Sequence, residues 1–138
     1  MSLSSAKYEA DRWWRTAQDD IEAAQSLHDA GKFSHACFLS QQSAEKAMKA
    51  LWFAIDGDPW GHSIQKLVMQ FPRQEILAEA EKWLVNAAHL DKFYIPTRYP
   101  NGLPDLTPGQ TYISQDSTLA IEKATFFLEE VNKLLSEL

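Results

Sequence analysis

The stretch FSHACFLSQQSAEKAMKALWFAI, residues 33–55, decides how the chain folds. Phe33, Ala36, Cys37, Ser40, Ala44, Ala47, Met48, Leu51 and Ile55 recur at spacings of three and four, which gathers them on one side of an α-helix. Most of these side chains are small, so another helix can approach closely. The other side carries Gln42, Glu45, Lys46 and Lys49, with Glu45 and Lys49 spaced for an i,i+4 ion pair. Two readings of that side stand: a solvated face, or one on which Lys46 and Lys49 offer cations to an anionic ligand or partner.

Working outward, the same period appears on both flanks. Upstream, Trp14, Ala17, Ile21, Ala24 and Leu27 mark a helix from Tyr8 to Ala30, and Gly31 stands where a helix end favours a left-handed residue. Trp13 and Trp14 point about 100° apart on such a helix, so one is expected in the core and the other at a rim or interface. Downstream, Gly57, Pro59 and Gly61 mark a turn over Asp56–His62. Ser63 then caps a short helix carrying Ile64, Leu67, Val68 and Phe71, which Pro72 ends. A further helix is expected from Gln74 to Tyr94, and a last one from a Ser114 cap to the C-terminus. Nothing alternates long enough to argue for a sheet. The expectation is an all-α fold: one domain over residues 1–138, an antiparallel up-and-down bundle of four long helices plus one short helix.

Between the last two helices lies Ile95 to Ile113, with Pro96, Pro100, Pro104 and Pro108. Proline removes a backbone donor and fixes φ near −65°, so the segment is expected to be extended or turned, without helix. Long connections without secondary structure are uncommon in compact domains. This one places Arg98, Tyr99, Asn101, Asp105 and Tyr112 on a stiffened backbone, a set suited either to ligand or partner contact or to covering the end of the bundle.

Composition narrows the function. A formal charge of −6 is the wrong sign for coating a nucleic acid, although a local basic patch is compatible with it. No apolar run reaches the ~18 residues of a membrane span and no leader pattern opens the chain, so no membrane association and a cytoplasmic location are expected. Cys37, alone among apolar neighbours, reads as a small buried hydrophobe. No two of His28, His35, His62 and His89 fall at i,i+3 or i,i+4, so no metal site is expected. His62 is expected to cap or pack at the start of the short helix. There is no P-loop, GxGxxG or nucleophile elbow, hence no expected cofactor and no assigned catalytic residue. Trp13, Trp52 and Trp60 are large aromatics for a chain of 138 residues, which points to a homodimer.

Residues 36–51 resemble the signature helix of the HEPN (higher eukaryote and prokaryote nucleotide-binding) domain family. Trp14–Leu27 resembles the family's first helix, Gly61–Leu67 its short third helix, and Asp91–Pro100 its aromatic and proline segment. The resemblance implies an antiparallel helical bundle, usually dimeric, often paired with a minimal nucleotidyltransferase in a two-component, toxin-antitoxin arrangement. It also implies a nucleotide- or RNA-associated binding or regulatory role, with Arg98 and Tyr99 as phosphate and base contacts by their position in Arg-Tyr-Pro. Ribonuclease members carry an Arg followed by His after four to six residues. None of Arg12, Arg15, Arg73 and Arg98 has a following His at that distance, which argues against metal-independent ribonuclease activity unless the site is non-standard.

Overall fold

The computed structural model describes residues 3–138, and among them no strand occurs. Four long helices, α1 (Leu3–Asp29), α2 (Phe33–Ala54), α4 (Ala80–Asp91) and α6 (Ser114–Glu137), are joined by short ones, α3 (Ile64–Met69) and α5 (Pro108–Thr111). Single 3-10 turns lie at Gln74–Ile76 and Pro100–Gly102. Gly31 takes φ +78° behind α1, and the Lys32 N–H reaches back to the Leu27 carbonyl at 2.8 Å. This left-handed stop turns the chain back on itself and sends α2 antiparallel to α1.

α2 is the central element, packed against α1, α3, α4, α5 and α6. Fourteen of its 22 residues are buried, so it has no solvated side. Ala44 and Ala47 join Ala17 of α1 and Ala120 and Ala124 of α6 in a core filled out by Met48, Leu51, Trp83, Leu90 and Phe127. Small residues bring the helix axes together and the aromatic rings close the remaining space.

Four local expectations are corrected. Neither Trp13 nor Trp14 is fully buried: Trp14 packs on the margin of the core, and Trp13 stacks on Phe53 with ring centroids 5.6 Å apart. α4 starts at Ala80 rather than Gln74, because Leu77 is drawn into the core and Glu79 adopts a left-handed φ of +54°. Trp83 fixes that break by donating its indole N–H to the Ala78 carbonyl at 3.0 Å. The proline-rich connection does contain helix, the single turn α5 with Pro108 at its first position, where the missing N–H would have no partner anyway. Thr107 and Gln110 close a capping box around it. Finally, Ser114 is the first residue of α6, not its cap; Asp116 reaches back to accept the Ile113 N–H at 2.8 Å.

Candidate functional site

Arg98 lies in the turn after α4. Its N–H and that of Tyr99 both donate to the Ile95 carbonyl, at 3.1 and 3.2 Å, and Thr97 is buried with its hydroxyl bonded to the Phe93 carbonyl. The guanidinium is held from several directions. Its Nε donates to the Tyr94 carbonyl at 2.9 Å, and Cζ lies 4.4 Å from the ring centre of Phe38, 4.7 Å from Tyr94 and 5.0 Å from Tyr99. Each such ring contact at an exposed site stabilises a cation by about 0.5 to 1 kcal/mol. Arg12, Arg15 and Arg73 pair with Glu9, Asp11 and Glu75, whereas among the described residues no carboxylate pairs with Arg98. It is thus an exposed, pre-positioned cation whose fork remains open to an anion.

Tyr94 joins this cation to a second group. The imidazole of His62 stacks on Tyr94 with centroids 5.0 Å apart and planes 17° from parallel. His62 Nδ1 lies 3.3 Å from Oε2 of Glu45, whose side chain is 3% exposed although that of His62 is 59% exposed. The same Glu45 carboxylate accepts from Lys49 Nζ at 3.1 Å and from Gln41 Nε2 at 3.3 Å, and Gln41 also donates to the His62 carbonyl at 3.1 Å. The backbone that presents His62 is fixed by the next element. Ser63 caps α3, and Asp91 at the end of α4 accepts the N–H groups of Ile64 and Gln65 at 2.8 and 3.0 Å.

The four residues expected from the sequence therefore divide. Arg98 and Tyr99 come together on one surface. Lys49 is not a free cation: it is buried, paired with Glu45, and sits 5.5 Å from the Trp13 ring centre. Lys46 bonds Asp20 of α1 at 2.7 Å and lines a shallow groove with Glu9, Arg12, Trp13 and Thr16. The i,i+4 pair is real, but the face that holds it is enclosed rather than solvated, because α1 and the α2–α3 connection cover it. Phe38, Tyr94, His62 and Glu45 were not singled out as site residues. Tyr94 precedes Arg98 by one helical turn's spacing, a local signal; His62 and Glu45 are distant in sequence from Arg98, and only the tertiary fold unites them.

Cys37 is buried, and burial first, with the nearby Asp116 charge second, pushes its thiol up to about 12. A thiol held protonated this way is a packing group, as its apolar neighbours imply. Among the described residues no helix is long and apolar enough to cross a membrane.

A sequence model of the HEPN domain matches residues 10–136. No curated protein matches the chain. Among solved structures, TT1696 from Thermus thermophilus is 33% identical, covers 91% of this chain and 97% of its own, and superposes with a TM-score of 0.86. ST0689, an archaeal HEPN homologue, is 34% identical over 92% of this chain and 98% of its own, with a TM-score of 0.75. A HEPN domain protein of Thermotoga maritima, tm0613, is 27% identical over 92% and 99%, with a TM-score of 0.73. Domain match, identity and superposition agree over nearly the whole length: the chain belongs to the HEPN domain family.

Proposed function

We propose that the chain is a binding or regulatory module that takes a nucleotide, free or within an RNA strand, at Arg98. The observation that carries this reading is the exposed guanidinium set on Phe38, Tyr94 and Tyr99 with no acid paired to it among the described residues. Phosphate oxygens match the guanidinium fork, and Tyr99, about half exposed, offers a face on which a base can stack. The overall charge of −6 opposes long polyanions, so recognition is local. Titration with 5′-AMP and with a ten-residue oligouridylate tests it. The wild-type protein binds both, and Arg98→Ala weakens both by about tenfold or more, the loss expected for a charge-assisted contact. Unchanged affinity in that variant removes the reading.

Family membership supports a homodimer and a minimal nucleotidyltransferase as partner. The tryptophan argument for dimerisation narrows, since Trp52 is buried with its indole N–H on the Leu67 carbonyl, while Trp60 is 81% exposed. Sedimentation at micromolar concentration and the identity of neighbouring reading frames test these two expectations separately.

A second reading, a metal-independent ribonuclease with a non-standard site, is favoured by one observation. His62 and Arg98 both lie against Tyr94, so a titratable imidazole and a cation share a surface although no Arg-to-His spacing in the sequence announces it. Overexpression distinguishes the readings: a ribonuclease arrests growth and Arg98→Ala relieves the arrest, whereas a binding module leaves growth unchanged.

A further inference from the structure

Away from Arg98, an open groove of about 770 Å³ lies between α4 and α6, lined by Glu81 and Val85 from one helix and Glu122, Phe126 and Glu129 from the other. Its floor is apolar and firmly held. Val85 is 55% exposed in mid-helix, and Phe126 stands edge-on to Trp83 and Phe127 with ring centroids 5.7 and 5.6 Å apart. Its rim is acidic. The side chains of Glu81, Glu122 and Glu129 have no ion-pair or hydrogen-bond partner among the described residues. Two lysines also line the groove, but Lys82 is paired with Glu79 at 3.3 Å, which leaves Lys123 as the one free base there among the described residues.

We propose that this groove is a docking surface for a basic amphipathic helix of another protein, its apolar side on Val85 and Phe126 and its lysines or arginines against the three glutamates. Charge selects this occupant. Three free acids against one free base leave the rim negative, on a chain whose net charge is −6. A second copy set face to face brings glutamates against glutamates, and a nucleic acid strand is repelled by the same rim. The spacing suits a helix. Glu122 and Glu129 stand two turns apart, about 10.5 Å along α6, which matches basic residues two turns apart beside an apolar stripe on the incoming helix. Since Val85 and Phe126 sit on packed helices, the groove is formed before the partner arrives, and docking carries little ordering cost on this side.

The test titrates the full chain into a labelled synthetic helix of leucine and lysine, about fourteen residues or four turns long with its leucines on one side, and follows fluorescence anisotropy. The wild-type protein is expected to bind it, and not to bind the same peptide with glutamate in place of lysine. E122Q/E129Q weakens binding about fivefold, the loss of two rim charge contacts. D19N/E137Q removes the same charge from exposed positions outside the groove and changes the affinity by less than about twofold. Val85→Arg sets a bulky cation on the floor and weakens binding by about tenfold or more. Because Val85 is exposed, that variant is expected to fold, and its helix content and urea midpoint serve as the check. Equal losses in the two charge-neutralised variants would mean that net charge alone attracts the peptide, and they overturn the proposal. So does the absence of wild-type binding, or unchanged binding to a folded Val85→Arg. If sedimentation finds a dimer that Val85→Arg dissociates, the groove belongs to a second copy and the proposal falls.

Discussion

The backbone N–H of Ile64 donates to the Asp91 carboxylate at 2.8 Å, joining the first turn of α3 to the last residue of α4. The same carboxylate takes the Gln65 N–H and the Ser63 hydroxyl, both at 3.0 Å. Two otherwise unsatisfied helix donors and a positive helix end are thereby matched by one anion. Asp91→Ala is expected to cost about 2 to 3 kcal/mol, because the donors lie in a partly covered junction and a charged acceptor is lost. Urea unfolding measures it. A loss under about 0.5 kcal/mol would show that water replaces the carboxylate readily.

Glu45 and Lys49 differ from the exposed ion pairs elsewhere on the molecule. Their side chains are 3% and 10% exposed, and removing Glu45 leaves Lys49 charged without its carboxylate. Glu45→Ala is expected to destabilise by about 3 to 5 kcal/mol. The double replacement E45M/K49M is expected to cost far less than that, since the desolvation of both charges disappears together. Comparable unfolding midpoints for the single and double variants would contradict this account.

These contrasts show how far the sequence could be read. α1, α2, α3 and α6 are legible because their apolar positions keep a helical period and because Gly31 and Ser63 mark their ends. The start of α4 is not, because the burial of Leu77 and the indole bond of Trp83 override a pattern that continues through the break. Arg98 and Tyr99 are legible as neighbours in a stiff segment. Glu45 and Lys49 were readable as a pair, but their charge argued for an outward face that a helix enclosed on every side does not have. His62 is readable only as a residue that caps or packs at the start of α3; Ser63 is the cap, and the place of His62 beside Tyr94 depends on how Asp91 anchors α3.

Gly57 tests the packing of the connection after α2. A Cβ there would stand 2.9 Å from Cε3 and 3.1 Å from the carbonyl oxygen of Trp52. The indole cannot readily yield, since Nε1 is bonded to the Leu67 carbonyl and the ring meets Phe71 edge-on at 5.9 Å. Gly57→Ala is therefore expected to cost about 1 to 3 kcal/mol through overpacking. Thermal unfolding reports the change; a variant as stable as the parent would mean that the turn moves away without penalty.

Cys37 and Tyr112 set the response to alkaline pH. Burial raises the Cys37 thiol from 9.0 to about 12, and burial, with Cys37 and Asp116 as further causes, raises Tyr112 above the ordinary tyrosine range. Both groups are neutral when protonated, so a raised value means that the folded state holds the proton more tightly than the unfolded state. Above the unfolded pKa the unfolded chain has released protons that the fold still binds, and stability falls as pH rises. For Cys37 this window runs from about pH 9 to about pH 12. Cys37→Ala removes that contribution, so its urea midpoint is expected to fall less steeply with pH than the parent's, whatever its stability at pH 7. A thiol reagent supplies the independent check: at pH 8 the native thiol reacts no faster than the chain opens. Parallel slopes for parent and variant, together with rapid native labelling, would place Cys37 in contact with solvent.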